Sequence, residues 1–137
     1  MDNHIKVFAV VVTYNGRPWI DKCLESLEKS STAVNIIVID NGSQDGTQEI
    51  IKRHPQVEFI QSGENLGFGR ANNRGIDIAL GKKADYVFLL NQDAWIETNT
   101  ITVLLEIAGR NPDYGVVSPI HLNGTYTGID LNFSRDG

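Results

Sequence analysis

The most informative feature of this 137-residue sequence is an aspartate that closes an apolar run. Tyr86-Val87-Phe88-Leu89-Leu90 is followed at once by Asn91-Gln92-Asp93. A carboxylate there can hold a hard divalent cation, Mn2+ or Mg2+, which takes oxygen ligands and is often shared between one or two carboxylates and phosphate oxygens. It can also simply cap the turn before Trp95. Asp40 stands in the same relation to Ile36-Ile37-Val38-Ile39 and opens Asp40-Asn41-Gly42. Its carboxylate can accept hydrogen bonds from the imide of a uracil or thymine or from ribose hydroxyls, or it can end the strand in an aspartate turn. Tyr14, within Thr13-Tyr14-Asn15, offers a ring on which a base could stack or that could pack in the core. Arg70 falls at an expected helix start, where the helix dipole disfavours a cation. An anionic ligand or Asp40 would explain it there, and a solvated surface position is the competing reading.

These residues are useful only if the fold brings them together, and the elements suggest that it does. Val7 to Val12 is an unbroken apolar run, as in a strand buried on both faces. Pro18 suits the first turn of a helix, and Trp19, Ile20, Cys23, Leu24 and Leu27 recur at helical spacing. After the second strand, Ile36–Ile39, Asp45 and Gln48 resemble a capping box that opens a helix carrying Ile50 and Ile51. That helix should stop before His54-Pro55. Val57–Ile60 reads as a third strand, Gly63 to Gly69 as a glycine-rich loop, and Arg70 to Leu80 as a helix. Tyr86–Leu90 is the fourth strand. Ile101, Leu104, Leu105 and Ala108 mark a last helix that ends at Asn111-Pro112, with Val116-Val117 in a further short strand and Asn123-Gly124 as a hairpin turn. The alternation predicts an α/β, Rossmann-like, mostly parallel sheet with helices on both faces. Ligands of such sheets bind beyond the carboxyl ends of the strands. Three of those ends carry Thr13-Tyr14-Asn15, Asp40-Asn41 and Asn91-Gln92-Asp93.

Composition removes several classes of function. A hydrophobic share of 41% is that of an ordinary globular protein. The net charge of −5 argues against a nucleic-acid partner. No run of apolar residues is long enough to span a bilayer, and Val7–Val12 is too short for a signal peptide, so a cytoplasmic protein is expected. The single cysteine, Cys23, excludes an internal disulfide and reads as a small buried hydrophobe. His4, His54 and His121 are too scattered for a zinc site. Gly67-Phe68-Gly69 follows the third strand, and Asn72 stands where a dinucleotide fingerprint needs its last glycine. Asn41, Asn123 and Asn132 head Asn-x-Ser/Thr triplets that, without a secretory signal, are coincidental.

Taken in order, four segments resemble family 2 glycosyltransferases, the inverting enzymes of GT-A type. Val10-Val11-Val12-Thr13-Tyr14-Asn15 is similar to the family's opening strand. Val38-Ile39-Asp40-Asn41-Gly42-Ser43-Gln44-Asp45-Gly46-Thr47 is similar to its second signature. Glu64-Asn65-Leu66-Gly67-Phe68-Gly69 with Asn72-Asn73-Arg74-Gly75 resembles the third, and Leu89-Leu90-Asn91-Gln92-Asp93 resembles its metal motif. The likeness covers residues 5 to about 120. The second and third motifs are closest in style to bacterial polysaccharide enzymes, rhamnosyltransferase-like members included.

The resemblance implies a nucleoside-diphosphate-sugar donor and a glycan or lipid-linked acceptor at the inner face of a membrane, with peripheral membrane contact compatible with that setting. It places Thr13, Tyr14, Asn15, Asp40, Asn41, Gly42, Asn65, Gly67, Arg70, Asn91 and Asp93 at the nucleotide sugar, with Asp93 on the metal. Residues 1–137 would form a single domain, the donor-binding half of the transferase. The acceptor-side half, which supplies the family's catalytic base, is expected after Gly137. Asp130 and Asp136 lie in a context unlike that region. An isolated half leaves apolar surface through which copies could pair. Asn91 also departs from the family's Asp-x-Asp and removes one carboxylate. Two rival readings are a nucleotide-binding module without catalysis and a receiver-like domain. The second is disfavoured because the first strand ends in Thr-Tyr-Asn rather than in paired acids.

Overall fold

Four parallel strands form the sheet of a computed structural model in which residues 5–111 are described. The strands are β1 (Val7–Thr13), β2 (Asn35–Asp40), β3 (Glu58–Gln61) and β4 (Tyr86–Leu89). They alternate with α1 (Ile20–Glu28), α2 (Thr47–Ile51), α3 (Phe68–Gly81) and α4 (Thr100–Arg110). Parallel neighbours cannot be joined by a hairpin, so each needs such a crossover. A division after Thr98 separates the described residues into two units. The first carries the sheet and α1 to α3, and the second carries α4.

The chain steps outward from β1 to β2 to β3, then returns past β1 to lay β4 on its other side. The reversal makes the gap between β1 and β4 the topological switch point of the sheet. Every residue of β1 is buried. On one face, Phe8 and Val12 join Ile37 and Ile39 against Ala71 and Ala79 of α3. Val7, Ala9 and Val11 alternate to the other face and are equally buried. Within this unit α1 and α2, which contact each other, are the helices left to cover it. α1 buries Ile20, Cys23, Leu24 and Leu27. A nine-residue helix is marginal alone, but each fully buried Leu or Ile contributes about 1.5–3 kcal/mol.

The expected elements form, with local differences at their ends. Trp19, counted with the apolar stripe of the first helix, is 45% exposed. It is the N-cap residue, so the buried phase begins only at Ile20. The capping box forms by half. Asp45 Oδ1 accepts from Thr47 N–H at 3.0 Å, whereas the Gln48 side chain turns away to Ser43 O at 2.9 Å, and left-handed Gly46 (φ 96°) is the N-cap. β3 is shifted by one residue because Val57 N–H is taken by His54 O in the preceding turn. α3 begins at Phe68, two residues before Arg70. No described helix is long and apolar enough to cross a membrane. The strand expected at Val116-Val117, the turn at Asn123-Gly124, and Asp130 and Asp136 lie outside the described residues.

Candidate functional site

Thr13 and Asp40 end β1 and β2 at the same register position. Parallel pairing therefore sets the Asp40 carboxylate beside the Thr13 hydroxyl, and Asp40 becomes the centre of a buried polar cluster. Its Oδ1 accepts from Thr13 Oγ1 at 2.6 Å and Ser43 Oγ at 2.5 Å. Its Oδ2 accepts from Ser43 N–H and Gln61 Nε2, both at 2.9 Å, and from Gln48 Nε2 at 3.4 Å. Asp40 is fully buried. Burial raises its pKa, but the bonds from Ser43, Thr13 and Gln61 outweigh that and hold the carboxyl below its ordinary value. The pairing of Arg70 with Asp40 does not form. Arg70 is exposed on α3, and the cage around Asp40 is built from neutral donors.

The loop after β1 is fastened to the loop after β2. Asn15 adopts a left-handed φ of 46°, which its type tolerates. From there its N–H reaches Ser43 Oγ at 2.8 Å and its side-chain oxygen takes Gln44 N–H at 2.9 Å. Gly16 N–H donates to Thr47 Oγ1, and Arg17 N–H to Asp45 Oδ2. Gly42 has φ 84°, and a Cβ there would meet Glu64 backbone no closer than 3.7 Å, so its conformation rather than space calls for glycine. Gly67, φ 85°, plays the same part at the start of α3.

Beyond these fastenings a cleft of about 480 Å3 opens at the switch point. Of the residues named from the sequence, Tyr14, Asn41, Asn65, Asn91 and Asp93 line it. Thr13, Asn15, Asp40, Gly42, Gly67 and Arg70 are not among its lining residues. Val12, Phe68 and Gln92 also line the cleft and were not anticipated. Phe68 is 60% exposed, and Gln92 sits inside a motif whose outer members drew attention. Tyr14 is 47% exposed, which excludes the core-packing alternative. Asn41 is buried, which removes its glycosylation triplet from consideration, and its Oδ1 accepts Leu66 N–H at 3.2 Å. That bond orients the amide nitrogen away from Leu66.

Asn91-Gln92-Asp93-Ala94 is a tight turn closed by Ala94 N–H to Asn91 O at 3.0 Å. Cys23 lies beneath it, fully buried. Burial first, and then the Asp93 charge, push its thiol up to about 12. Asp93 is exposed, and its carboxylate accepts no hydrogen bond from the described residues. It is therefore free of the capping role that would compete with a ligand. The described residues contain no group of three or more His, Cys, Asp or Glu side chains able to hold a metal. Asp93 with the Asn91 amide oxygen makes an all-oxygen pair, which suits a hard cation that keeps most of its shell for phosphate and water.

The sequence model of the family described as Glycosyl transferase family 2 matches residues 8–130. The chain is 36% identical over 122 residues to the N-acetylglucosaminyl-diphospho-decaprenol L-rhamnosyltransferase of Mycobacterium tuberculosis. That match takes in 81% of this chain and 39% of the relative, so the chain spans well under half of its length. Among solved structures, S. aureus TarS 1-349 in complex with UDP-GlcNAc superposes with a TM-score of 0.65 at 24% identity, covering 83% of this chain and 37% of that one. The mannosyltransferase PcManGT from Pyrobaculum calidifontis, in complex with GDP-Man and Mn2+, gives 0.66 at 23% identity over 75% of this chain and 32% of its own. At such identities these structural likenesses establish the fold.

Proposed function

The chain belongs to glycosyl transferase family 2, and from that membership we propose that its cleft takes the nucleoside-diphosphate-sugar donor of an inverting glycosyl transfer, with Mn2+ or Mg2+ as the metal. One observation carries the reading: the exposed Tyr14 ring and the Asp93 carboxylate, which accepts no hydrogen bond from the described residues, line a single cleft at the β1–β4 switch point. The base stacks on Tyr14, which contributes on the order of 1–3 kcal/mol if it matches other base–aromatic stacks. Asn41 offers its amide hydrogens to an acceptor on the nucleotide. Asp93 and Asn91 would hold the cation through their side-chain oxygens, beside the diphosphate. When bound, the cation neutralises the charge that builds on the departing diphosphate. Asp40 works one layer below, holding Thr13 and Ser43 so that the two loops keep their relation.

For the whole protein, the acceptor is a polysaccharide or lipid-linked glycan at the inner membrane face. The acceptor-side half provides the general base, since Asp93 is committed to the metal. Residues 1–137 are the donor-binding half of that enzyme.

Calorimetric titration with UDP, dTDP and GDP, each with and without Mn2+, tests the donor site. One nucleotide should bind more tightly with metal, and Asp93→Ala should remove the metal's contribution. Equal, metal-independent binding of all three would overturn the assignment.

A further inference from the structure

The β1–β4 ladder ends early. Paired residues run to Val10 and Leu89, and the last main-chain bond is Leu90 N–H to Val10 O at 3.2 Å. The strand ends then part, and the cleft lies in the gap. One side chain crosses it. Gln92 Oε1 accepts Tyr14 N–H at 2.9 Å, and Gln92 Nε2 donates to Tyr14 O at 3.1 Å. A carboxamide carries the same donor and acceptor as a peptide unit, so the side chain extends the ladder where the two backbones have separated. Gly16 makes this approach feasible. A Cβ on Gly16 would stand 2.2 Å from Gln92 Oε1 and 2.7 Å from its Cδ. Gly16 is not one of the residues with positive φ. Its backbone would therefore accept alanine, and only the Gln92 side chain forbids it.

We propose that Gln92 is a positioning residue of this site. It ties the main chain of Tyr14 to the turn that carries Asn91 and Asp93, and thereby sets the distance between the aromatic face and the metal-holding carboxylate. The inference rests on the donor reading of the cleft given above. A nucleoside diphosphate spans that distance, with its base at one end and its phosphates on the cation at the other. A ligand that engages both ends gains from their being held at the right separation, because the second contact then forms as an intramolecular event. A ligand that engages one end gains nothing. Releasing Gln92 leaves the loop folded, since Asn15, Gly16 and Arg17 keep their bonds to Ser43, Thr47 and Asp45. What is lost is its relation to β4.

Three probes separate these cases: uridine, Mn2+ alone, and UDP with Mn2+, each titrated into wild type, Gln92→Met, Gly16→Ala and the double variant. Thymidine with dTDP or guanosine with GDP replace the uracil pair if wild type prefers them. Gln92→Met keeps the length of the side chain and removes both hydrogen bonds. Gly16→Ala displaces an unaltered Gln92 from the opposite side. Each should weaken UDP–Mn2+ by about tenfold while uridine and Mn2+ alone stay within about twofold of wild type. The double variant should be no weaker than Gln92→Met, because both changes break one contact. Equal losses for all three probes would mean a general structural role, and loss of uridine affinity would mean direct contact with the nucleoside. Either result overturns the proposal, as does wild-type affinity in Gly16→Ala. If wild type binds none of the three probes, the donor reading itself has failed, and this inference falls with it.

Discussion

The sulfur of Cys23 lies 3.6 Å from the carbonyl oxygen of Asn91, so the only thiol of the chain is the floor of the turn that presents Asp93. α1 and the end of β4 meet at this contact. Burial, and after it the charge of Asp93, raise the thiol to about 12. The thiolate is the reactive form, and the thiol is fully buried, so at pH 8 the native protein should react with a disulfide reagent far more slowly than an exposed free thiol. Unfolding in guanidinium should restore ordinary reactivity. Stoichiometric labelling of native protein within minutes would show that the turn over Cys23 opens readily.

His54 joins α1 to the end of α2. Its Nδ1 lies 2.9 Å from Glu28 Oε2 and its Nε2 lies 2.8 Å from Asp21 Oδ1. Only the imidazolium can donate at both nitrogens. Burial lowers the pKa, but the bonds to Glu28 and Asp21 outweigh it and set the folded value above the ordinary 6.5. A raised folded pKa contributes stability that is fully present below 6.5 and is lost as pH rises through the folded value. Thermal midpoints should therefore fall as pH rises from 6.5 upward, and His54→Gln should flatten that slope. An unchanged slope in the variant would remove His54 from the account.

Gly75 is where α3 rests on β1. A Cβ there would stand 2.4 Å from Val10 Cγ1 and 3.1 Å from Cγ2. In an exposed helix, Gly→Ala gains roughly 1 kcal/mol of propensity. Here the clash is with a β-branched side chain fixed in the central strand, and overpacking of this kind typically costs about 1–3 kcal/mol. Gly75→Ala should lower stability in urea melts. Gly81→Ala, with nothing within 4 Å of the new Cβ, serves as the control and should not lower it.

What the sequence revealed, and what it hid, follows from the range of the interactions. Asp93 and Tyr14 were legible because an apolar run that stops at a polar residue marks a strand end, and the ends of parallel strands share one edge. Trp19 misled because its spacing fits the stripe of α1 while its position precedes the helix. The cage around Asp40 was not readable. Thr13 and Gln61 lie 27 and 21 residues away, and only the strand register brings them together. Gln92 left one trace, a glycine at position 16, and that trace has meaning only once a side chain 76 residues further along the chain is seen against it.

Asp40→Asn probes the cage most directly. The two oxygens face different partners. Oδ2 meets amide N–H groups from Ser43, Gln61 and Gln48, which can only donate. Oδ1 meets the hydroxyls of Thr13 and Ser43, which can turn and accept. An asparagine that keeps its oxygen toward the amides satisfies all three, but its nitrogen makes the hydroxyls accept, and the Thr13 and Ser43 protons then lose the acceptor they have in wild type. The loss is then the charge assistance, about 1–2 kcal/mol, together with the displaced hydroxyl protons, while the amide donors keep their partner. Asp40→Ala strands all of them and should cost more. The carboxyl sits below its ordinary 3.8, so its contribution is present above that value and is lost as pH falls through the folded pKa. Asp40→Asn should therefore lose part of the wild type's acid-induced drop below about pH 4. Nucleotide affinity, measured on the same variant at neutral pH, should stay within about threefold of wild type, because Asp40 acts through Thr13 and Ser43. A tenfold loss of affinity with an unchanged melting curve would show instead that Gln61 gives way on binding and that the carboxylate reaches the ligand itself.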